Sequence, residues 1–170
     1  MWAESKLGDH SRAQLTRARR REAIEHAGAE ILWADWAAAA RAELALNAGQ
    51  PTIAATLAER AVRVAQSVGG IFAEGLAHRT WAEALAASEP PNFDEAERHL
   101  AASLQAFEQG EARLEAARTH LAWGKLLHAR GQQATAREHL EQAAAQFEVS
   151  GLEQELQTAR SLLPEVTSER

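Results

Sequence analysis

Ala96-Glu97-Arg98-His99-Leu100-Ala101-Ala102-Ser103-Leu104-Gln105-Ala106-Phe107 is echoed forty residues later by Ala136-Arg137-Glu138-His139-Leu140-Glu141-Gln142-Ala143-Ala144-Ala145-Gln146-Phe147. Steps of four, three and four lead from Ala96 through Leu100 and Ser103 to Phe107. The same steps lead from Ala136 through Leu140 and Ala143 to Phe147. That spacing gathers each set on one face of a helix. The small residue at 96 or 136 lets a neighbouring backbone approach, and the larger Leu and Phe fill the wider part of the contact.

Turn residues frame this echo along the whole chain. Gly8, Gly49, Pro91 and Gly131 are spaced 41, 42 and 40 residues apart, and Ala13, Ala54, Ala96 and Ala136 each follow five residues later. Gly28, Gly70, Gly110 and Gly151 form a second series at 42, 40 and 41. Glycine or proline between apolar-periodic segments ends one helix and opens the next. The two series interleave, so the spacing predicts helices over 9–26, 29–47, 51–68, 71–88, 93–109, 111–130, 132–149 and 152–163. Local signals agree: Asn92 is placed to cap a helix after Pro90-Pro91, Pro51 suits a first helical turn, and Pro164 stops the last helix. The expected domain is 1–163, with repeats over 1–27, 28–69, 70–109 and 110–150, a capping helix over 151–163 and a polar tail over 164–170. A period near 41 also suits HEAT-like repeats.

Composition sets outer bounds. Of 170 residues, 46% are hydrophobic, mostly alanine, and only 5% aromatic. Such a core requires closely packed helices, because alanine favours helix and fills little volume. There is no cysteine, which excludes disulfides, cysteine zinc sites and thiol catalysis. The first residues carry no secretory-signal pattern, and no apolar run reaches the roughly 18 residues of a membrane span. A cytoplasmic location is the expectation. Net charge is −6. Arg17, Arg19, Arg20 and Arg21 concentrate positive charge near the start, either as the solvated C-terminal part of a helix or as a contact for nucleic acid or an acidic partner. The acidic remainder argues against general nucleic-acid binding.

Trp123-Gly124, Leu127, Gly131, Ala136, Leu140 and Ala143 resemble the tetratricopeptide pattern, in which small and large residues alternate around a glycine turn. The usual period is about 34 residues, and the longer one here implies about one extra turn per helix. Long-helix arrays of this kind are similar to the C-terminal arrays of bacterial LuxR-type and ATP-binding signalling regulators. The resemblance implies a right-handed α-solenoid of about four antiparallel helix hairpins that binds a protein or peptide, with no catalytic residues. Only Trp2 to Leu7 precede Gly8, so the first repeat is expected to be covered by something upstream or by another copy.

The resemblance also places the first helix of each hairpin along a concave groove. That puts Trp36, Ala39 and Glu43, then His78, Trp81 and Leu85, then Arg118, Leu121, Lys125 and His128 on the binding face. The tryptophans either line the groove or pack between helices. Arg118, Lys125 and His128 make a basic stripe that could hold peptide carboxylates, or a surface row balanced by Glu111 and Glu115. Ala122 replaces the asparagine of the family's carboxylate clamp.

Chemistry is otherwise sparse. The seven histidines lack a metal-binding spacing and read as solvated or capping residues; His120 and His128 alone do not make a zinc site. No carboxylate pair, phosphate loop or nucleophile elbow stands out. The expectation is no enzyme, no cofactor and no metal. The leading function is a binding scaffold in bacterial signalling or transcription regulation. The alternatives are a small-molecule sensor and a homo-oligomeric assembly unit joined through the N-terminal end.

Overall fold

The computed structural model describes residues 33–163. The predicted helix 9–26, the arginine run and the opening turn glycines lie outside the described residues. The chain divides into two units, Met1–Ala34 and Asp35–Arg170, and the described residues fall almost wholly in the second.

Seven helices account for nearly all of the described residues: α1 Ala34–Asn47, α2 Pro51–Val68, α3 Ile71–Ala86, α4 Phe93–Gln109, α5 Arg113–Ala129, α6 Gln133–Ser150 and α7 Glu153–Leu162. No strand occurs among the described residues. The helix ends fall where the turn residues put them. Gly49, Gly131 and Gly151 take φ values of 71°, 75° and 68°, a left-handed conformation that side-chain-bearing residues rarely adopt. α3 ends at Ala86 rather than 88, because Pro90 and Pro91 cannot continue a helix and Ser88 Oγ turns back to donate to the Leu85 carbonyl at 2.7 Å. Asn92 does cap α4, its side chain accepting from the Glu95 amide at 3.3 Å.

Two kinds of helix alternate. α2, α4 and α6 bury one stripe each: Ala54, Ala58, Ala61 and Ala65; Ala96, Leu100, Ser103 and Phe107; Ala136, Leu140, Ala143 and Phe147. In contrast, α3 and α5 bury nearly every second residue, from Ala73 to Ala84 and from Ala117 to Leu127. A helix buried on more than one side needs small residues where neighbours approach closely; α3 supplies alanine and glycine, and α5 sets Ala117, Ala122 and Gly124 among Leu121, Leu126 and Leu127. Packing runs along the chain. From α2 onward each helix packs on the next, with further contacts between α3 and α5 and between α5 and α7, and no longer-range pairs among the described helices. A central core joins Ala82, Ala96, Leu100, Ala122, Leu126, Leu127 and Ala136 from four helices. A second joins Ala117, Leu121, Leu140, Ala143, Phe147 and Ala159, which docks α7. No described helix is long and apolar enough to cross a membrane.

Candidate functional site

α3 contains His78-Arg79-Thr80-Trp81, and α5 contains His120-Leu121-Ala122-Trp123, 42 residues on. A spacing of three puts histidine and tryptophan on one face of each helix. The following helices each bring one more histidine to that face, His99 on α4 and His139 on α6. The two constellations repeat in space. His78 Nδ1 lies 3.0 Å from His99 Nδ1, and His120 Nδ1 lies 2.8 Å from His139 Nδ1. Trp81 stacks on His99 at 3.9 Å between ring centres, and Trp123 stacks on His139 at 4.5 Å.

The ring centres within the two histidine pairs are 5.1 and 5.0 Å apart. Centres that far apart, with nitrogens that close, mean the rings meet edge to edge. Each contact is therefore an N–H···N bond in which one ring donates and the other accepts. Burial lowers the pKa of all four rings, taking His78 and His120 down to about 4. The close second ring adds to the fall at His78 and His120.

The surroundings of the pairs differ. Glu74 Oε1 lies 3.9 Å from His78 Nε2, and Glu95 Oε1 lies 3.7 Å from His99 Nε2. The positions corresponding to these carboxylates in the second pair hold Ala116 and Thr135. There, Glu138 and Glu97 act on His139 only, and Glu97 is bound by Arg130.

A cavity of about 310 Å³ lies between α3, α4 and α5. Its walls are Ala82, Ala86, Phe93, Leu100, Ala122 and Leu126, and its charged lining residues are Glu83 and Lys125. The volume exists because alanine stands at 82, 86 and 122, where larger residues would have filled it. Glu83 keeps solvent access, yet the protein atoms crowded round it raise its carboxyl. Arg79 and Lys125 oppose that rise, and Glu43 adds to it. The cavity therefore has an apolar interior and a lining of mixed charge.

The groove residues expected from sequence do not share one environment. Lys125, Glu43 and His128 are exposed, and Lys125 lines the cavity. Trp36 is 42% exposed and stacks on Phe72 at 4.9 Å. His78 and Trp81 turn toward α4 and are spent in the first histidine constellation. Leu121, at 8% exposure, is a core residue rather than a surface one. The basic stripe is also revised. Arg118 pairs with Glu115 at 2.5 Å and with Glu155 of α7 at 3.2 Å, so its charge is already matched within the fold. Four of the histidines, expected to be solvated or capping, are paired and at least partly buried. The signal that could have found them was the recurrence of His-x-x-Trp at 42 residues together with His-Leu at 40. Among the described residues no three metal-capable side chains cluster. No family model, curated protein or solved structure matches this chain.

Proposed function

We propose that the chain is a tetratricopeptide-like α-solenoid of antiparallel helix hairpins. In this reading it binds a linear segment of a partner protein at the cavity between α3, α4 and α5. The observation that carries the reading is the cavity itself. It has an apolar interior large enough for a bulky side chain, with an acceptor, Glu83, and a donor, Lys125, beside it. A peptide strand presents that combination: an apolar side chain with amide N–H and C=O groups at its base. The repeating period and the neighbour-to-neighbour packing support the solenoid part. A cytosolic setting in bacterial regulation is what the resemblance implies.

The test is selection of binders from a displayed random-peptide library on the whole chain, followed by calorimetric titration of the selected peptides. Ala86→Phe places a ring in the cavity, and Lys125→Glu leaves two carboxylates there. Each is expected to weaken binding about tenfold or more, with the helical signal and melting unchanged. Peptides that bind both variants as tightly as the parent would sink the assignment. Preferential binding of compact apolar molecules over any peptide would turn the reading to small-molecule sensing.

A further inference from the structure

Neither histidine pair lines the cavity, yet both are built to one plan, and His78, His99 and His120 sit on the three helices that form it. Trp81 precedes Ala82, His99 precedes Leu100 and Trp123 follows Ala122, and these three neighbours line the cavity. Proton counting shows what such a pair can hold. In the neutral pair one ring carries its hydrogen on Nδ1 and donates, while the other carries it on Nε2 and accepts. One added proton can be accommodated. The bond becomes a shared Nδ1–H–Nδ1 contact, and both outer Nε2 atoms then carry hydrogens. A second added proton puts two Nδ1–H groups and two positive charges face to face at 2.8–3.0 Å. No hydrogen bond survives that state, and the two rings must part.

We propose that the two histidine pairs are acid-opened clasps that hold α3 to α4 and α5 to α6, releasing the helices and the cavity between them as protons enter. The groups facing the clasps set where each one opens. At the first, Glu74 of α3 and Glu95 of α4 favour the first proton, and Arg98 of α4 opposes it. From α2, uncharged Gln66 donates to Glu74 at 2.8 Å. From α5, Glu115 is tied to Arg79 and Arg118, while Lys125 acts on Glu83. At the second clasp, Glu138 of α6 and Glu97 of α4 act on His139. Glu155 of α7 is occupied by Arg118.

The direction of the effect follows from where protons bind. An unfolded histidine takes up its proton near pH 6.5, whereas buried His78 and His120 resist it down to about 4. Between those values the unfolded chain binds more protons, so stability falls as pH drops through that window. Above it the contribution of the clasps is complete.

Two-bond ¹H–¹⁵N NMR of the full chain between pH 8 and pH 4 tests this without any partner, so it stands apart from peptide binding. At pH 8 one ring of each pair should show the Nδ1–H tautomer, which free histidine disfavours. All four rings should protonate below the usual value of about 6.5, in step with loss of helical circular dichroism. The double variant His99→Gln/His139→Gln keeps a hydrogen-bonding side chain that does not titrate. It should fold at neutral pH and unfold at lower pH than the parent. Four Nε2–H tautomers titrating independently near about 6.5, or four protonated rings with unchanged helicity, would overturn the proposal. An acid midpoint unmoved in the double variant would do the same. Should that variant fail to fold, the tautomers of the parent chain decide.

Discussion

In α3 a glycine stands at position 75 and an alanine at 82. In α5 the order is inverted, with Ala117 early and Gly124 late. A Cβ on Gly75 would lie 2.7 Å from the ring of Phe107, and a Cβ on Gly124 would lie 2.6 Å from Leu140. The two helix pairs, α3–α4 and α5–α6, are therefore pinched at opposite ends: the first near the start of α3, the second near the end of α5. One sequence period thus does not impose one geometry. Each pair has a Leu and a Phe on its second helix, and the first helix gives way with glycine under only one of them. Where it does not, alanine shares the core with the large residue, Ala82 with Leu100 and Ala117 with Phe147.

Removing the large residues is the severest way to break this correspondence. Phe107 and Phe147 are both fully buried. Phe107→Ala and Phe147→Ala should each cost about 3–5 kcal/mol in urea unfolding. Phe107 belongs at the upper end, because Phe72 meets its ring edge-on at 5.5 Å and Arg79 lies over it at 5.5 Å. A loss below about 1 kcal/mol at Phe147 would mean that α5–α6 is not a second copy of the same packing unit.

Exchanging the small residues tests the pinch itself. Gly75→Ala gains about 1 kcal/mol of helix propensity, but the new methyl meets a ring with no room to retreat. Overpacking of this kind costs about 1–3 kcal/mol, so a net loss is expected. Ala82→Gly has no clash to relieve and should lose the propensity difference of about 1 kcal/mol together with about 0.8 kcal/mol for the buried methyl group. The informative variant is Gly75→Ala combined with Phe107→Leu, which removes the ring edge. Recovery relative to Phe107→Leu alone would confirm the ring as the obstacle, and equal losses in both backgrounds would refute it.

Much of this is legible in the sequence, and the limits have physical causes. Turn glycines and prolines act locally, so helix ends are readable to within about three residues. The core of α4 and α6 is readable because one stripe at helical spacing has one interpretation. The stripes of α3 and α5 are not, since a helix buried on several sides has no exposed face to contrast with. Leu121, expected on a surface, belongs to such a helix. The histidine pairs escape for another reason. Their partners are 21 and 19 residues apart on neighbouring helices, so neither residue carries a local mark. Only comparison of one repeat with the next reveals them. The matching of Arg118 by Glu155 spans 37 residues and leaves no local trace either.

The seam between the two pairs offers a subtler contrast. Ser103 Oγ lies 2.9 Å from the Gly75 carbonyl and 3.0 Å from Thr119 Oγ1, which itself lies 3.1 Å from the Glu115 carbonyl. Two hydroxyl hydrogens serve three contacts, so only two of them are bonded at any moment. Ser103→Ala removes two of the contacts but leaves Thr119 its bond to Glu115. The expected cost is about 1 kcal/mol, below that of losing a buried group's only partner. The matching seam between α6 and α7 is apolar, with Ala143 facing the core that holds Ala159.

The smallest expected effect lies at the start of the second helix of each pair. Asn92 caps α4 through its side chain, whereas α6 begins after Gln132 with no side-chain bond. The backbones nevertheless agree: φ and ψ are −110° and 77° at Asn92, and −85° and 65° at Gln132. Asparagine at 132 should therefore reach the Thr135 amide as Asn92 reaches that of Glu95. Because the existing bond is long, Asn92→Ala should cost about 0.5–1 kcal/mol, and Gln132→Asn should gain a similar amount. Opposite shifts of comparable size in the two melting curves would show that the helix starts are interchangeable. A neutral Gln132→Asn would mean that α6 is held by its packed stripe alone and that its first turn contributes nothing a cap could improve.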